Sequence, residues 1–369
     1  MPETHRFLIM TTDPVHIGTG GMRLGRVDNT IVREPGTNLP KIPGTALHGA
    51  IRAYAARRYG KPQCAGRGGR EGRKHCGRPT CPICYTFGSV QGEAGSFSGV
   101  VSISDARILL FPVYSMVGPV WVTSPGVLED AGLGNNFTVS PDKAKWDGNG
   151  ELPTDKPINL GWLMVEREDN FPSIQWPDEI PAQIRNRVVL VSDKLFSQIV
   201  NSNLEVRTSV AINPETGAAE EHALFTYEAI PRATVLWFDV VLDDFRNSFP
   251  STAKLTEWEQ VLDNGGEDEK KRLLKKRKVW PEKEEQDKVE EAISRAKSWI
   301  AEEKYSENGE TKWKWTKMGC QNGNETILCL INSALEWAEH LGIGGMGTRG
   351  FGRIKKIYCD PVEVKNEQN

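Results

Sequence analysis

The chain has 369 residues, 38% of them hydrophobic and 26% charged, the composition of a soluble globular protein with one large domain or two ordinary ones. No secretory leader is legible in "HRFLIMTTD", and the longest apolar region, residues 108–122, is broken by proline and glycine and falls short of the roughly 18 residues of a membrane span. The expected compartment is therefore the cytoplasm, with no membrane partner. The net charge of −3 conceals a cluster: residues 52–78 hold nine Lys or Arg against one acid, Glu71, a block that attracts polyanions.

In chain order, "RFLIMTT" (6–12) predicts a buried strand, followed by a long loop rich in Gly, Pro and Asn. Loops of that length are uncommon unless they work or are disordered. Residues 45–59, "TALHGAIRAYAARRY", place Ala46, Leu47, Ala50, Ile51, Tyr54 and Ala55 at i, i+3 and i+4 spacing. This predicts an amphipathic helix with Thr45 at its N-cap and His48, Arg52 and Arg57 on its polar face. Further strands are expected at 107–115, 118–124, 187–192, 233–242 and 353–359, and helices at 194–203 and 324–341, while "LPTDKPINLGW" (152–162) reads as loop. There is no regular βαβ alternation and no repeat of fixed period, so the expected class is α+β. Residues 250–318 alternate charges and put Val289, Ile293, Ala296 and Ile300 on one helical face. That pattern predicts a charged helical insertion packing one stripe on the body, with no chemistry of its own.

Four of the seven cysteines, Cys64, Cys76, Cys81 and Cys84, fall within 21 residues and end in C-x-x-C. Their number and spacing suit one tetrahedral ion, with zinc the natural guest and His75 a spare ligand. The glycines and arginines between them cannot form a core, so a metal would fold this excursion and the site would be structural. Disulfides are disfavoured by the expected cytosolic setting, and Cys320, Cys329 and Cys359 are expected as buried small apolar residues.

Residues 342–352 contain six glycines together with Arg349. Gly342, Gly344 and Gly347 match G-x-G-x-x-G formally, but a dinucleotide fingerprint follows a strand and opens a helix. Here the expected helix comes before and the strand after, which removes that reading, and no Walker loop is present. Gly342 is explained as the residue that closes a helix. Gly344, Gly345, Gly347, Gly350 and Gly352 point to close approach of a ligand, and a sugar-phosphate chain suits backbone amides flanked by Arg349 and Arg353.

The segments "HIGTG", "RVDNTIVREPGTNLPKIPGTALHGAIR", "CPICYTFGS", "SISDARILLFPVYSMVGPVWVTSPGVLE", "INPETGAAEEHALFTYEAIPRATVLWFDV" and "GIGGMGTRGFGRI" run in order from His16 to Ile354. Together they resemble the RAMP-superfamily backbone subunit of type III CRISPR effectors, and "DARILLFPV" and "ALFTYEAIPR" are most similar to the type III-B (Cmr) branch. The resemblance implies a ferredoxin-like, RRM-related core in a single domain over 1–369. It implies a thumb-like extension at 201–232, while the zinc-binding excursion at 60–88 rests on the cysteine spacing and the charged helical insertion at 245–318 on its composition, a segment the resemblance leaves uncovered. It also implies assembly with copies of itself and other subunits along CRISPR RNA, and divalent-metal-dependent cleavage of complementary target RNA at regular intervals, beside each guide base that the thumb displaces. A non-catalytic guide-binding scaffold is the alternative, and a metal enzyme acting on a small molecule at the cysteines is a third reading.

The family's cleavage aspartate matches Asp28. A carboxylate there would position or activate the 2′-hydroxyl, or hold Mg or Mn partly through phosphates and water. His16, Tyr227 and Glu228 are the catalytic auxiliaries. RNA contacts fall to Lys41, Gly44, Thr45, His48 and Arg52 around the first helix, and to Gly344, Gly345, Gly347, Arg349, Gly350 and Arg353 in the glycine loop. Relatives often carry lysine where His48 stands, so that contact is expected to be weaker or pH-sensitive, titrating near neutrality, with Arg52 the stronger candidate. Asp105 is expected to be a structural residue at a strand start.

Overall fold

The computed structural model describes residues 2–20, 27–66, 75–148, 150–277, 279–281, 285–320, 323 and 325–362, without the side chains of Gln91, Ala211 and residues 219–223. Part of the basic block, namely Arg67, Arg70, Arg73 and Lys74 with Glu71, lies outside the described residues. The chain divides into two compact units. The first comprises Thr4–Leu47, Ile103–Val240 and Ala338–Asn369, and the second Met1–Glu3, His48–Ser102 and Val241–Trp337.

The main sheet belongs chiefly to the first unit. Its strand path runs Ile354–Pro361, Glu3–Thr11, Val235–Leu242, Ala106–Val113, Val120–Thr123, Val188–Val191, Lys143–Trp146, Leu163–Arg167 and Ile158–Leu160. The first four members are, in chain order, the fourth, first, third and second strands. The helix Gly44–Tyr59 follows the first strand and the helix Ile327–Leu341 follows the third. This is the βαββαβ order of a ferredoxin-like core. The outer strands of the path extend it, and every residue of Val120–Thr123 and Val188–Val191 is buried, as runs of β-branched residues covered on both faces require. Within the sheet Phe7 stacks on Phe238 at 5.2 Å, and Leu8, Leu110, Leu190 and Trp237 share one buried cluster.

The long loop after the first strand leads to the first helix, which starts at Gly44 rather than after a Thr45 cap. Pro43 O accepts from the amides of Ala46 and Leu47, and Asp105 Oδ1 accepts from Gly44 N at 2.7 Å. The carboxylate does the capping, so Asp105 is structural as expected. Residues 152–162 also differ from the loop expectation. Ile158–Leu160 is a short strand paired with Leu163–Arg167 across Gly161, whose φ of +67° only glycine adopts readily.

Strands Glu205–Ile212 and Ala219–Ala229 form an antiparallel hairpin within the 201–232 segment. It carries exposed Val206, Val210, Ile212 and Leu224.

In the second unit the helices Thr252–Asn264, Glu267–Lys276 and Gln286–Ala301 close around Leu255, Trp258, Leu262, Leu274, Ala296, Trp299 and Ile300. The charged insertion therefore builds a core of its own instead of lending a single stripe. The two tryptophans, too large for a surface stripe, supply much of its volume. Cys320 and Cys329 are joined in a disulfide and Cys359 is only half-buried, so none of the three is the simple buried apolar residue expected.

Candidate functional site

The Asp28 segment lies along one edge of the hairpin strand Ala219–Ala229. Asn29 N donates to Thr226 O at 3.1 Å and Glu228 N to Asn29 O at 3.0 Å, a parallel bridge that fixes the segment beside Thr226, Tyr227 and Glu228. Asp28 Oδ2 accepts from Thr226 N and from Thr226 Oγ1, both at 2.8 Å, and Thr226 Oγ1 accepts from Asp28 N at 2.9 Å. These bonds, the Thr226 amide first and its hydroxyl second, hold the Asp28 carboxyl below the usual carboxylate range. Among the described residues Oδ1 takes no hydrogen bond. An ionised, half-exposed carboxylate with one oxygen anchored and the other uncovered is the result.

His16 is buried against the same strand, with Nδ1 2.6 Å from Glu228 O. A carbonyl only accepts, so Nδ1 carries a proton and donates it to this bond. A Cβ on Gly18 would stand 3.0 Å from Nε2, so glycine at that position leaves the nitrogen uncovered. The His16 ring meets Tyr227 edge to face at 5.8 Å, and Arg349 Nη1 reaches Tyr227 Oη at 3.5 Å.

Glu228 is different. Oε1 accepts from Arg33 Nη2 at 2.6 Å and Oε2 from Ile31 N at 3.2 Å, while Arg33 also donates to Asn201 Oδ1 and Ile31 O. Both oxygens are committed to holding the loop, which makes Glu228 a positioning residue. Thr226 and Arg33 were missed by sequence reasoning. A threonine next to Tyr227 and an arginine in a loop carry no signal until the register between segment and strand is known.

The glycine loop joins this group. Gly345 N donates to His16 O at 3.0 Å, and a Cβ on Gly344 would sit 2.4 Å from Ile17 Cδ1 and 2.6 Å from His16 O. Gly342 closes the helix as expected, with φ +74°, and faces Gly352, whose own Cβ would lie 2.4 Å from Ile343 O. Three glycines are thus required by the chain's own backbone and not by a ligand. Gly345, Gly347 and Gly350 have no such crowding, and Gly344 through Gly350 form the exposed stretch, Met346 alone being partly covered. Arg353 pairs with Asp13 at the surface.

Around the first helix, Lys41 Nζ pairs with Asp105 at 2.5 Å and Thr45 is exposed. A Cβ on Gly44 would lie 2.3 Å from Ile103 O, so this glycine serves packing. Arg52 does not present its guanidinium to a ligand: Nε donates to Cys64 O at 2.7 Å, and Nη1 and Nη2 donate to Phe87 O and Gly88 O at 3.1 and 2.8 Å. His48 packs edge to face on Phe87 at 5.1 Å. Burial, then the Arg52 charge, lowers its pKa, so it is neutral at pH 7 rather than poised there.

The four cysteine sulfurs lie within 4.8 Å of one another and are all buried. Cys64 to Cys76 is 3.4 Å, Cys76 to Cys84 3.7 Å and Cys64 to Cys81 3.8 Å. A tetrahedral thiolate site with metal–sulfur bonds of about 2.3 Å has edges of about 3.8 Å. The group can hold a metal ion with no open position. His75 is not gathered with the four sulfurs, and its Nδ1 sits 3.2 Å from Arg52 Nη2. Among the described residues no other group of three His, Cys, Asp or Glu ligands is gathered closely enough for a metal.

The family model of the RAMP superfamily matches residues 8–355, and the chain belongs to that superfamily. It is 29% identical over 253 residues to the CRISPR system Cmr endoribonuclease Cmr4 of Pyrococcus furiosus, a match covering 63% of this chain and 79% of that protein. A shorter match, 32% over 90 residues, covers 24% of this chain and 34% of the CRISPR system Cms endoribonuclease Csm3 of Methanothermobacter thermautotrophicus. Similar solved structures include the type III-B Cmr-beta complex in its apo state, with TM-score 0.49 and 17% identity over 65% of this chain and 84% of that one. Oligomeric Cmr4 from Pyrococcus furiosus gives TM-score 0.43 and 21% identity over 70% and 88%. No helix among the described residues is long and apolar enough to cross a membrane.

Proposed function

We propose that this chain is a backbone subunit of a type III-B RNA-guided effector, which binds a CRISPR RNA together with copies of itself and other subunits and cleaves complementary target RNA at Asp28. One observation carries the reading: the Asp28 carboxylate and the arginine of the glycine loop converge on consecutive residues of one strand, Thr226 and Tyr227. The exposed part of the glycine loop, with Arg349, supplies amides and charge for a phosphodiester chain. The hairpin over Glu205–Ala229 is the thumb, and its exposed valine, isoleucine and leucine side chains offer apolar surface to displaced bases.

Cleavage requires the 2′-hydroxyl to be oriented and deprotonated and the phosphorane charge to be stabilised. Asp28, held at low pKa, is too weak a base to be efficient near neutral pH. Its uncovered Oδ1 suits accepting a hydrogen bond from the 2′-hydroxyl. His16, anchored through Nδ1 with Nε2 turned away from that bond, is placed to take part in the proton transfer, and Arg349 is placed for phosphate charge. A Mg or Mn ion would be held by Asp28 with RNA phosphates and water, since the described residues offer no all-protein cage of oxygen ligands, and it would supply charge stabilisation. Zinc fills the four-cysteine site as a structural ion.

The test is single-turnover target cleavage by the guide-loaded complex with Asp28→Ala, alongside target binding. A loss of about 100-fold or more in rate with unchanged affinity is expected. Unchanged cleavage would leave the non-catalytic scaffold reading in place.

A further inference from the structure

We infer that the second unit carries a binding site for a nucleoside phosphate, in the cavity between the cysteine-bearing segment and the helical insertion. The inference goes beyond the cleavage reading and does not depend on it. The cavity has a volume of about 570 Å³, within the roughly 300–1,000 Å³ range of small-molecule sites. Three cations line it, Arg246, Lys276 and Arg277, together with the rings of Tyr85, Phe97 and Phe245, and no acid lines it.

Among the described residues none of the three cations has a carboxylate within ion-pair distance. The Asp244 and Glu257 carboxylates reach Arg277 only through space, the first accepting from the Tyr85 hydroxyl and the second from Lys254 Nζ at 2.7 Å. Arg246 is held in place by Tyr85 O and Ser98 O, at 3.2 and 3.1 Å, and its guanidinium lies 4.4 to 5.4 Å from the centroids of Tyr85, Phe97 and Phe245. Arg277 lies 3.6 Å over Trp258 and donates to Ser248 O. The Nε atoms of both arginines are buried without a partner among the described residues, so the ligand-facing donors are the terminal guanidinium nitrogens. Phe245 stands 69% exposed at the rim.

A planar ring with one open face beside a concave, acid-free group of cations fits a base stacked on the phenyl face and a phosphate at the guanidinium and ammonium groups. The source is either a free nucleotide or one residue of a single-stranded RNA. An acidic peptide would use the cations but leave the aromatic rim without a role.

The full-length protein would be titrated with the four ribonucleoside 5′-monophosphates, with inorganic phosphate, with a short single-stranded oligoribonucleotide and with an oligoglutamate peptide. The same titrations would be made on Phe245→Ala and Lys276→Glu, both at exposed positions. The inference expects a nucleotide or the oligoribonucleotide to bind at least about fivefold more tightly than phosphate. It expects that advantage to fall about fivefold or more in Phe245→Ala, and binding to weaken further in Lys276→Glu. Loss in the mononucleotide titration assigns a free nucleotide, and loss confined to the oligoribonucleotide assigns an RNA residue. Nucleotide and RNA affinities unchanged in both variants, or tight binding of the peptide alone, would overturn the site.

Discussion

Around the cysteines and along the Asp28 edge the chain gathers charged side chains, but it leaves them in opposite conditions. Beside the cysteines Arg52 donates to three backbone carbonyls, and Lys61 is buried in an ion pair with Glu303. At the Asp28 edge one carboxylate oxygen is anchored and the other uncovered, and Arg349 is exposed with a single 3.5 Å contact. A cation is available to a ligand only where the fold leaves its donors unoccupied, and proximity to a motif in sequence does not reveal that.

The contrast can be broken most severely at the cysteines. Cys81→Ser should abolish bound zinc and lower the unfolding midpoint by on the order of 10 °C, read by metal analysis and calorimetry. A retained midpoint would mean that the excursion folds without metal. Next in size is Arg52→Ala, which leaves three carbonyl acceptors unbonded and should cost about 3 kcal/mol in denaturant unfolding. Guide affinity per folded molecule should not change, and a selective loss of affinity would return Arg52 to the RNA surface.

Thr226→Val sharpens the other side. It removes the hydroxyl bond but keeps the amide, so the Asp28 pKa should rise toward its ordinary 3.8. By linkage the stability that the depressed pKa gives, present above the unfolded value and lost as pH falls through the folded one, should then be lost at a higher pH than in the parent. An NMR titration of Asp28 that does not shift would contradict it. The smallest effect is expected at Arg353→Ala. Its pair with Asp13 is solvent-exposed and screened, so stability should hardly change, and loss of one phosphate contact should lower the salt slope of guide binding by about one. An unchanged slope removes Arg353 from the interface.

The strands of the central sheet from Ile354–Pro361 to Val188–Val191, the first and last helices, the four-cysteine site and the structural role of Asp105 were legible from periodicity, spacing and turn chemistry, whereas Lys143–Trp146, Leu163–Arg167 and the hairpin were not. The expectation of a ferredoxin-like core and the role proposed for Asp28 came from resemblance to the RAMP family. The parts that were not legible share a cause. Arg52 looks like a phosphate contact because helical periodicity places it on a polar face, but periodicity is blind to the Cys64, Phe87 and Gly88 carbonyls that take its donors. Gly344 and Gly352 look like ligand contacts because crowding against Ile17 and Ile343 arises only after distant segments meet. Thr226 and Arg33, which hold Asp28 and Glu228, were invisible for the same reason: their partners are set by register, not by spacing. The disulfide between Cys320 and Cys329 likewise joins a turn and a helix whose approach no local pattern encodes.

The most direct measurement compares Asp28→Ala with Arg52→Ala in the same guide-loaded complex, recording single-turnover target cleavage per folded molecule and the unfolding midpoint of each. The account predicts that Asp28→Ala loses cleavage about 100-fold or more while keeping its midpoint, and that Arg52→Ala lowers the midpoint while keeping its cleavage rate. Normal cleavage by Asp28→Ala, or loss of cleavage by a fully stable Arg52→Ala, would contradict it.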